Sequence, residues 1–143
     1  MNEAFELIEQ PAPEDMSFLG DRLYEFNVGA TAIRDGVLLG IFMRDADGAI
    51  TAGLHGHTWG GTCEISRLWV SEDLRHRGIG SRLMMAAEAE ARRRCCRQMF
   101  LSTHSFQAPA FYERLGFAEI GRISDYPAGH DQIFLRKSLQ LSE

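Results

Sequence analysis

The chain has 143 residues, 45% of them hydrophobic and 24% charged, which is the composition of a globular domain and excludes a disordered or fibrous protein. Its net charge of −5 disfavours nucleic-acid binding, which normally needs an overall basic surface. No apolar run is long enough to cross a membrane, and the N-terminus is acidic where a signal peptide would be basic, so we expect a cytoplasmic protein.

The N-terminal third of the chain predicts a strand, a helix and a hairpin. The apolar run 5–8 indicates a short strand, and residues 13–26 carry apolar side chains at the three- and four-residue spacing of a helix. Two extended segments, 37–43 and 50–59, flank the turn sequence 45–48. They therefore predict a β-hairpin.

The rest of the chain predicts a central strand followed by alternating helices and strands. Residues 62–70 are rich in β-branched and aromatic residues and favour a strand, and 78–94 has one apolar face and one charged face, as an amphipathic helix does. The remaining predicted elements are a strand at 98–104, a helix at 109–115 and strands at 117–123 and 132–139. This order indicates an α/β fold in which helices cover both faces of a mixed sheet, and the length favours a single domain, 1–143.

The segment from the central strand into the second predicted helix carries the clearest chemical signal. Arg75 and Arg77 stand beside Gly78 and Gly80 at the predicted start of that helix. Free backbone N–H groups and the positive end of the helix dipole favour a bound phosphate at such a place, although a Gly-x-Gly before a helix is often only a tight turn. The phosphate-loop motif of nucleoside triphosphatases and the dinucleotide-binding motif are both absent, so ATP and NAD are not the expected ligands.

Two motifs resemble the GNAT superfamily of N-acetyltransferases. Residues 75–80 match the family's Gln/Arg-x-x-Gly-x-Gly/Ala, and 108–117 is similar to its Ala-x-x-x-Tyr-x-x-x-Gly-Phe. The resemblance implies a mostly antiparallel central sheet flanked by helices, with a cleft where the central strand parts from the strand containing 100–104. It also implies acetyl transfer from acetyl-CoA to a primary amine, taken here to be a small molecule. Acetylation of a protein lysine or N-terminus, and non-catalytic acetyl-CoA sensing, remain alternatives.

The same resemblance places coenzyme A on the phosphate loop and along the central strand. Where the family often has an asparagine that binds the pantetheine arm, this chain has Ser105, with Gln107 as a substitute. The residues expected to bind the cofactor are Leu68, Trp69, Val70, Arg75, His76, Arg77, Gly78, Ile79, Gly80, Ser81, Ser105, Gln107 and Tyr112.

Two residues are expected to carry the chemistry. Tyr112 matches the family tyrosine that protonates the leaving thiolate, although its ring could instead simply pack beside Phe111. Glu64 lies eleven residues before Arg75, similar to the general base of the histone-acetylating branch, and the open alternative is an ordinary glutamate at a strand edge. Weaker base candidates are His55, His57, His104 and Asp125.

Metal and disulfide chemistry are not expected. The three cysteines include the adjacent Cys95 and Cys96, which cannot form an ordinary bridge, and no metal-binding spacing occurs. Cys63 beside Glu64 is not needed as a nucleophile if transfer from the thioester is direct. A homodimer is implied by the resemblance and by a chain that ends in a strand, which could pair across a two-fold axis.

Overall fold

The computed structural model describes residues 4–139 and contains, over that range, three α-helices and six strands. Their order is α1 (Pro13–Thr31), β1 (Val37–Arg44), β2 (Ile50–Trp59), β3 (Thr62–Val70), α2 (Ile79–Arg93), β4 (Gln98–His104), α3 (Pro109–Arg114), β5 (Ala118–Ser124) and β6 (Asp131–Ser138). A short 3-10 turn, Glu72–Leu74, lies between β3 and α2. The described residues belong to two units, one ending at Arg34 and one beginning at Asp35.

The N-terminal unit consists mainly of α1, which is longer than its sequence predicted. The helix begins at Pro13, as expected, but continues past Phe26 to Thr31. It ends where Ala32 adopts a left-handed conformation (φ 62°) and donates its N–H to the carbonyl of Val28, a common way to close a helix. None of its residues is buried.

The strand predicted at residues 5–8 is wrong. These residues are irregular, and Phe5 and Leu7 are 97% and 89% exposed. A strand requires hydrogen bonds from a neighbouring strand, and a local apolar pattern contains no information about whether such a neighbour exists.

The second unit is built on one six-stranded sheet in the order β1-β2-β3-β4-β6-β5. Only the β3–β4 pair is parallel, and the other four pairs are antiparallel. The predicted fold class, a mixed and mostly antiparallel sheet flanked by helices, is confirmed. The last strand, β6, lies between β4 and β5, so the free edge that suggested pairing between subunits does not exist at this strand.

The core lies on the face of the sheet that α2 covers. The predicted apolar face of α2 is the buried one, formed by Ile79, Leu83, Met84, Ala87 and Ala91. At the end of the helix, the Nη1 of Arg94 donates to the carbonyl of Leu38 (3.1 Å) and to the hydroxyl of Thr58 (3.1 Å). These bonds tie α2 to β1 and β2 and hold the helix across the first half of the sheet.

Charge is distributed unevenly between the two units. Residues 1–34 carry seven acidic side chains and two arginines, whereas 35–143 carry thirteen of each sign. The whole net charge of −5 therefore belongs to the first 34 residues. Across residues 4–139 the structure contains no helix long and apolar enough to span a membrane.

Candidate active site

Strands β3 and β4 part from one another halfway along their length. They pair only from Thr62 to Ile65 on β3, opposite Gln98 to Leu101 on β4. The separation begins beside a β-bulge, because His55 of β2 pairs with Arg67 while the next residue, Gly56, pairs with Ile65. Ser66 is thus an extra residue, and a bulge of this kind bends its strand. The structure therefore has the parting of strands that the family resemblance implied, and it leaves the backbone of 66–70 open on the β4 side.

The bulge depends on a very close approach between two backbones. A β-carbon placed on Gly56 would lie 1.9 Å from the carbonyl oxygen of Glu64. Real β-carbons essentially never come this near a backbone atom, so only glycine fits here without moving one of the strands. Gly56 was not singled out from the sequence, since its role depends on the register of β2 against β3.

The loop after β3 presents backbone N–H groups at the start of α2. Gly78 occupies the N-cap position in a left-handed conformation (φ 77°), and no side chain caps the helix there. His76 is also left-handed (φ 62°), a conformation that costs a non-glycine residue about 1 kcal/mol. The first amides of a helix have no intrahelical acceptor, so this terminus suits an anion such as a pyrophosphate.

The two arginines of this loop have different surroundings. Arg75 donates from Nε to the carbonyl of Val70 (3.0 Å), which fastens the loop to the end of β3. Arg77 and His76 are exposed, whereas Ser81 is half-buried and Ile79 is buried in the core. Ile79 can therefore offer a ligand only its backbone.

Gly80, in the motif 75–80, lies against Phe111, in the motif 108–117. A β-carbon at this position would lie 3.3 Å from Cζ of Phe111, so the Phe111 ring packs against the first turn of α2. The ring centroids of Phe111 and Tyr112 are 5.0 Å apart, with an angle of 70° between the rings. The absence of a side chain at Gly80 thus allows α3 to pack beside the phosphate loop.

Tyr112 is buried and keeps its proton. Its ring is 9% exposed and makes a second edge contact with Phe117, at 6.1 Å between centroids. Burial raises the pKa of the Tyr112 hydroxyl above its ordinary value, because the phenolate would lose its hydration. The group is therefore neutral at physiological pH and able to donate a proton.

Glu64 lies beside a histidine, His57. The two are directly opposite in the β2–β3 ladder, and Nε2 of His57 is 3.5 Å from Oε2 of Glu64. The Glu64 side chain is 37% exposed, which leaves it accessible to water. Two residues considered separately as bases are thus one cross-strand pair.

The residues at the open end of β3 divide between two faces. Leu68 and Val70 pack against the core, whereas Trp69 faces the opposite side and is 51% exposed. The register places Glu64 and Trp69 on the same face, since their partners on β2, His57 and Gly53, are four residues apart.

Ser105 and Gln107 use their side-chain oxygens locally. The Ser105 hydroxyl accepts the N–H of Asp131 (3.0 Å), and Oε1 of Gln107 accepts the N–H of His104 (2.7 Å). These bonds fix the end of β4 to the start of β6 and close the turn after β4. Each side chain retains a hydrogen that it can donate to a ligand.

The remaining base candidates are dispersed. His104 stacks on Phe106 (centroids 5.3 Å apart) and its Nδ1 lies 3.0 Å from the carbonyl oxygen of Tyr126, which fits a ring that carries its proton on Nδ1. Asp125 accepts the N–H of Gly129 and shapes the β5–β6 turn. His55 is opposite Arg67. None of the three is paired with Glu64.

Cys63 is poorly suited to act as a nucleophile. Burial, together with the nearby Cys96, raises the pKa of its thiol to about 11, so the thiolate is scarce at neutral pH. Over residues 4–139 no group of three or more His, Cys, Asp or Glu side chains is arranged to hold a metal ion.

Comparisons with known proteins agree with this geometry. The sequence profile of the acetyltransferase (GNAT) family matches residues 2–117. An acetyltransferase of Agrobacterium fabrum is 35% identical over 117 residues, which are 82% of this chain and 85% of that protein. Blasticidin-S acetyltransferase of Streptomyces morookaense is 40% identical over 93 residues, 64% of this chain and 68% of that protein.

A solved structure supports the same relationship. The crystal structure of a candidate acetyltransferase from Agrobacterium tumefaciens superposes with a TM-score of 0.85 at 32% identity, and the match covers 96% of this chain and all (100%) of that one. The profile match extends over both motifs and over the parting of β3 and β4. The chain therefore belongs to the acetyltransferase (GNAT) family and is an acyltransferase.

Proposed function

We propose that this protein transfers an acetyl group from acetyl-CoA to a primary amine of a small molecule, by direct attack within a ternary complex. The family uses acetyl-CoA. The observation that carries the proposal is the parting of β3 and β4 after Ile65 and Leu101, next to an uncapped helix start. The small-molecule acceptor is supported by blasticidin-S acetyltransferase, a relative named for its action on a small molecule.

The residues present fit coenzyme A. The amides at the start of α2, together with Arg77, would hold its pyrophosphate, and the open backbone of 66–70 would pair with the amides of its pantetheine arm. The hydroxyl of Ser105 and the amide of Gln107 can add donors at the end of β4. When bound, acetyl-CoA supplies the activated acyl group as a thioester.

The chain's own residues would move the protons. The reaction forms a carbon–nitrogen bond to the amine and breaks the carbon–sulfur bond. Glu64, through water and supported by His57 at 3.5 Å, would accept the proton that the amine loses. The Tyr112 hydroxyl, neutral because its pKa is raised, would give its proton to the sulfur. Cys63 takes no part, since its thiol stays protonated.

The acceptor need not be a polycation. A net charge of −5 alone would favour a cationic amine such as a polyamine, aminoglycoside or lysine, but the sheet-bearing unit has thirteen charges of each sign. We therefore propose a small amine that is recognised through groups other than additional positive charges.

We further propose that residues 1–143 act as one acetyltransferase domain in the cytoplasm and that the protein is a homodimer. Light scattering would test the dimer by measuring the mass in solution.

The experiment has a binding arm and a turnover arm. Acetyl-CoA should raise the melting temperature whereas ATP and NAD should not, since a ligand specific to the native state stabilises it by mass action. Replacing Gly78 with valine should remove this shift, because a branched side chain disfavours φ 77° and the start of α2 would change its conformation. The rest of the fold should be preserved, since no atom lies within 4 Å of a β-carbon at this position. A mixed pool of amines with a thiol-release readout measures turnover, and equal shifts with all three nucleotides would refute the proposal.

A further inference from the structure

A slot on the sheet face opposite α2 has two aromatic walls. Phe42 of β1, Gly53 of β2 and Trp69 of β3 are partners in the sheet register and form one row across three strands. The adjacent row contains His55 and Arg67. Both aromatic side chains are about half exposed, Phe42 by 53% and Trp69 by 51%, although side chains of this size normally bury most of their surface.

The Phe42 ring lies on two glycines of the sheet. A β-carbon on Gly53 or on Gly40 would lie 2.8 Å from the Phe42 ring, so the ring packs directly on the backbone of the sheet. The space left beside it is a cavity of about 160 Å³ lined by Phe42, Ile50, Gly53, Leu54, His55, Arg67 and Trp69. An apolar cavity of about 150 Å³ is known to accept a benzene molecule, so one aromatic ring fits this volume.

The charges around the slot are positive. Arg67 is one of the residues that line the cavity, and its guanidinium makes no ion pair or hydrogen bond with any residue from 4 to 139. The guanidinium of Arg44 lies 5.9 Å from the centre of the Phe42 ring. No Asp or Glu among residues 4–139 lines the cavity, so a ligand with a negative group is favoured over one with a further positive group.

We propose that this slot binds the acceptor, and that the acceptor contains an aromatic or heteroaromatic ring bearing a carboxylate. The ring lies between Phe42 and Trp69, and the carboxylate pairs with Arg67. This inference rests on the proposed acetyl transfer. It gains support from position, because Arg67 and Trp69 belong to the part of β3 that has parted from β4. Because Ser66 is the extra residue of the bulge, Arg67 and Glu64 lie opposite His55 and His57, which are two residues and about 7 Å apart along β2. Arg67 stands between the aromatic row and Glu64, so the amine of the acceptor must leave the ring on the same side as the carboxylate, as it can in a meta-substituted benzoate.

Binding can be measured without turnover. The chain has two tryptophans, so a Trp59→Phe background leaves Trp69 as the reporter of the slot. In that background, 4-methylbenzoate, which has no amine to acetylate, should change the Trp69 emission saturably and bind at least tenfold tighter than the neutral 4-methylbenzamide. Arg67→Met should remove this difference between the two compounds. The matched control Arg114→Met, an exposed arginine on α3 outside the slot, should preserve it.

Turnover tests the same recognition on amines. The enzyme should acetylate 3-(aminomethyl)benzoate with a kcat/KM at least tenfold above those of 3-(aminomethyl)benzamide and of 6-aminohexanoate, which lack the charge and the ring respectively. Arg67→Met should lower the kcat/KM of the charged aromatic amine to that of its benzamide analogue. Trp69→Ala should lower the kcat/KM of both aromatic amines towards that of 6-aminohexanoate.

The outcomes separate this inference from the proposed function. Saturable emission changes without acetylation of any amine would overturn the transferase proposal and leave the slot as a binding site. Acetylation of all three amines at similar rates, with no emission response, would overturn the slot and leave acetyl transfer standing. An emission change that follows protein concentration instead of added benzoate would mean that a second copy covers the slot, and would overturn a small-molecule occupant.

Discussion

Gly56→Ala should damage both the stability and the activity of the protein, because it acts on the contact that forms the β3 bulge. The added methyl group would start 1.9 Å from the carbonyl oxygen of Glu64 and 3.1 Å from Cα of Ile65. An ordinary carbon–oxygen contact is about 3.5 Å, so one of the two strands must move by more than about 1 Å. Both strands are interior to the sheet, with neighbours on either side, and cannot move freely.

The size of the effect follows from the usual penalty for overpacking. Such changes cost about 1–3 kcal/mol, and a clash against backbone belongs at the upper end. For a chain of this size, about 3 kcal/mol corresponds to a melting temperature lower by roughly 6–12 °C. Turnover should fall as well, because the displaced strand carries Glu64 and begins the separation from β4.

A second strand glycine provides the control. Gly121 lies on the edge strand β5, and a β-carbon there would have no atom within 4 Å. Gly121→Ala should leave stability unchanged or raise it by up to about 1 kcal/mol, because alanine restricts the unfolded chain. Calorimetry and thiol release on both variants measure the two effects. If Gly56→Ala melts within 2 °C or so of Gly121→Ala, the close approach of β2 to β3 is not what fixes the bulge.

Three further predictions concern ionisable groups. Tyr112→Phe should keep acetyl-CoA affinity, since its ring contacts remain, and should lose about a hundredfold in kcat; full activity would remove Tyr112 from the chemistry. Glu64→Gln should lose most turnover at low pH and recover partly at high pH, where the acceptor deprotonates in solution; a constant deficit across the pH profile would mean that Glu64 positions the amine. Finally, the Cys63 thiol has a pKa of about 11 in the native state against 9.0 for the free group, so its stabilising effect is complete below pH 9 and is lost as the pH rises through 11. Chemical unfolding from pH 8 to 11 should show up to about 3 kcal/mol of this loss, and Cys63→Ala should reduce the slope.

The sequence predicts much of the second unit because the signal for each of these elements lies within the element itself. The hairpin of β1 and β2, the strand β3 and the buried face of α2 all follow from periodicity and turn residues that lie within a single element. The phosphate loop is equally local, since Gly78 and Gly80 directly precede or open the helix that they serve.

Features that depend on two distant segments could not be predicted in the same way. The pairing of Glu64 with His57 and the need for glycine at position 56 both follow from the register of β2 against β3. The contact of Phe111 with Gly80 requires two helices to be placed in space. The sequence placed Gly80 only at the start of a helix that suits a phosphate, whereas its missing side chain also makes room for an aromatic ring.

The single extra residue at Ser66 has a consequence for how the strand can be changed. In a regular strand, alternate residues face alternate sides, so Glu64 and the odd-numbered Arg67 and Trp69 would face opposite ways. The bulge reverses this parity at its midpoint, and all three therefore share one side while Leu68 joins the core. Deleting one residue from 62–70 would restore regular alternation and exchange the two faces over half of the strand. The length of this segment is therefore under tighter constraint than the identity of Ser66, whose own side chain is exposed.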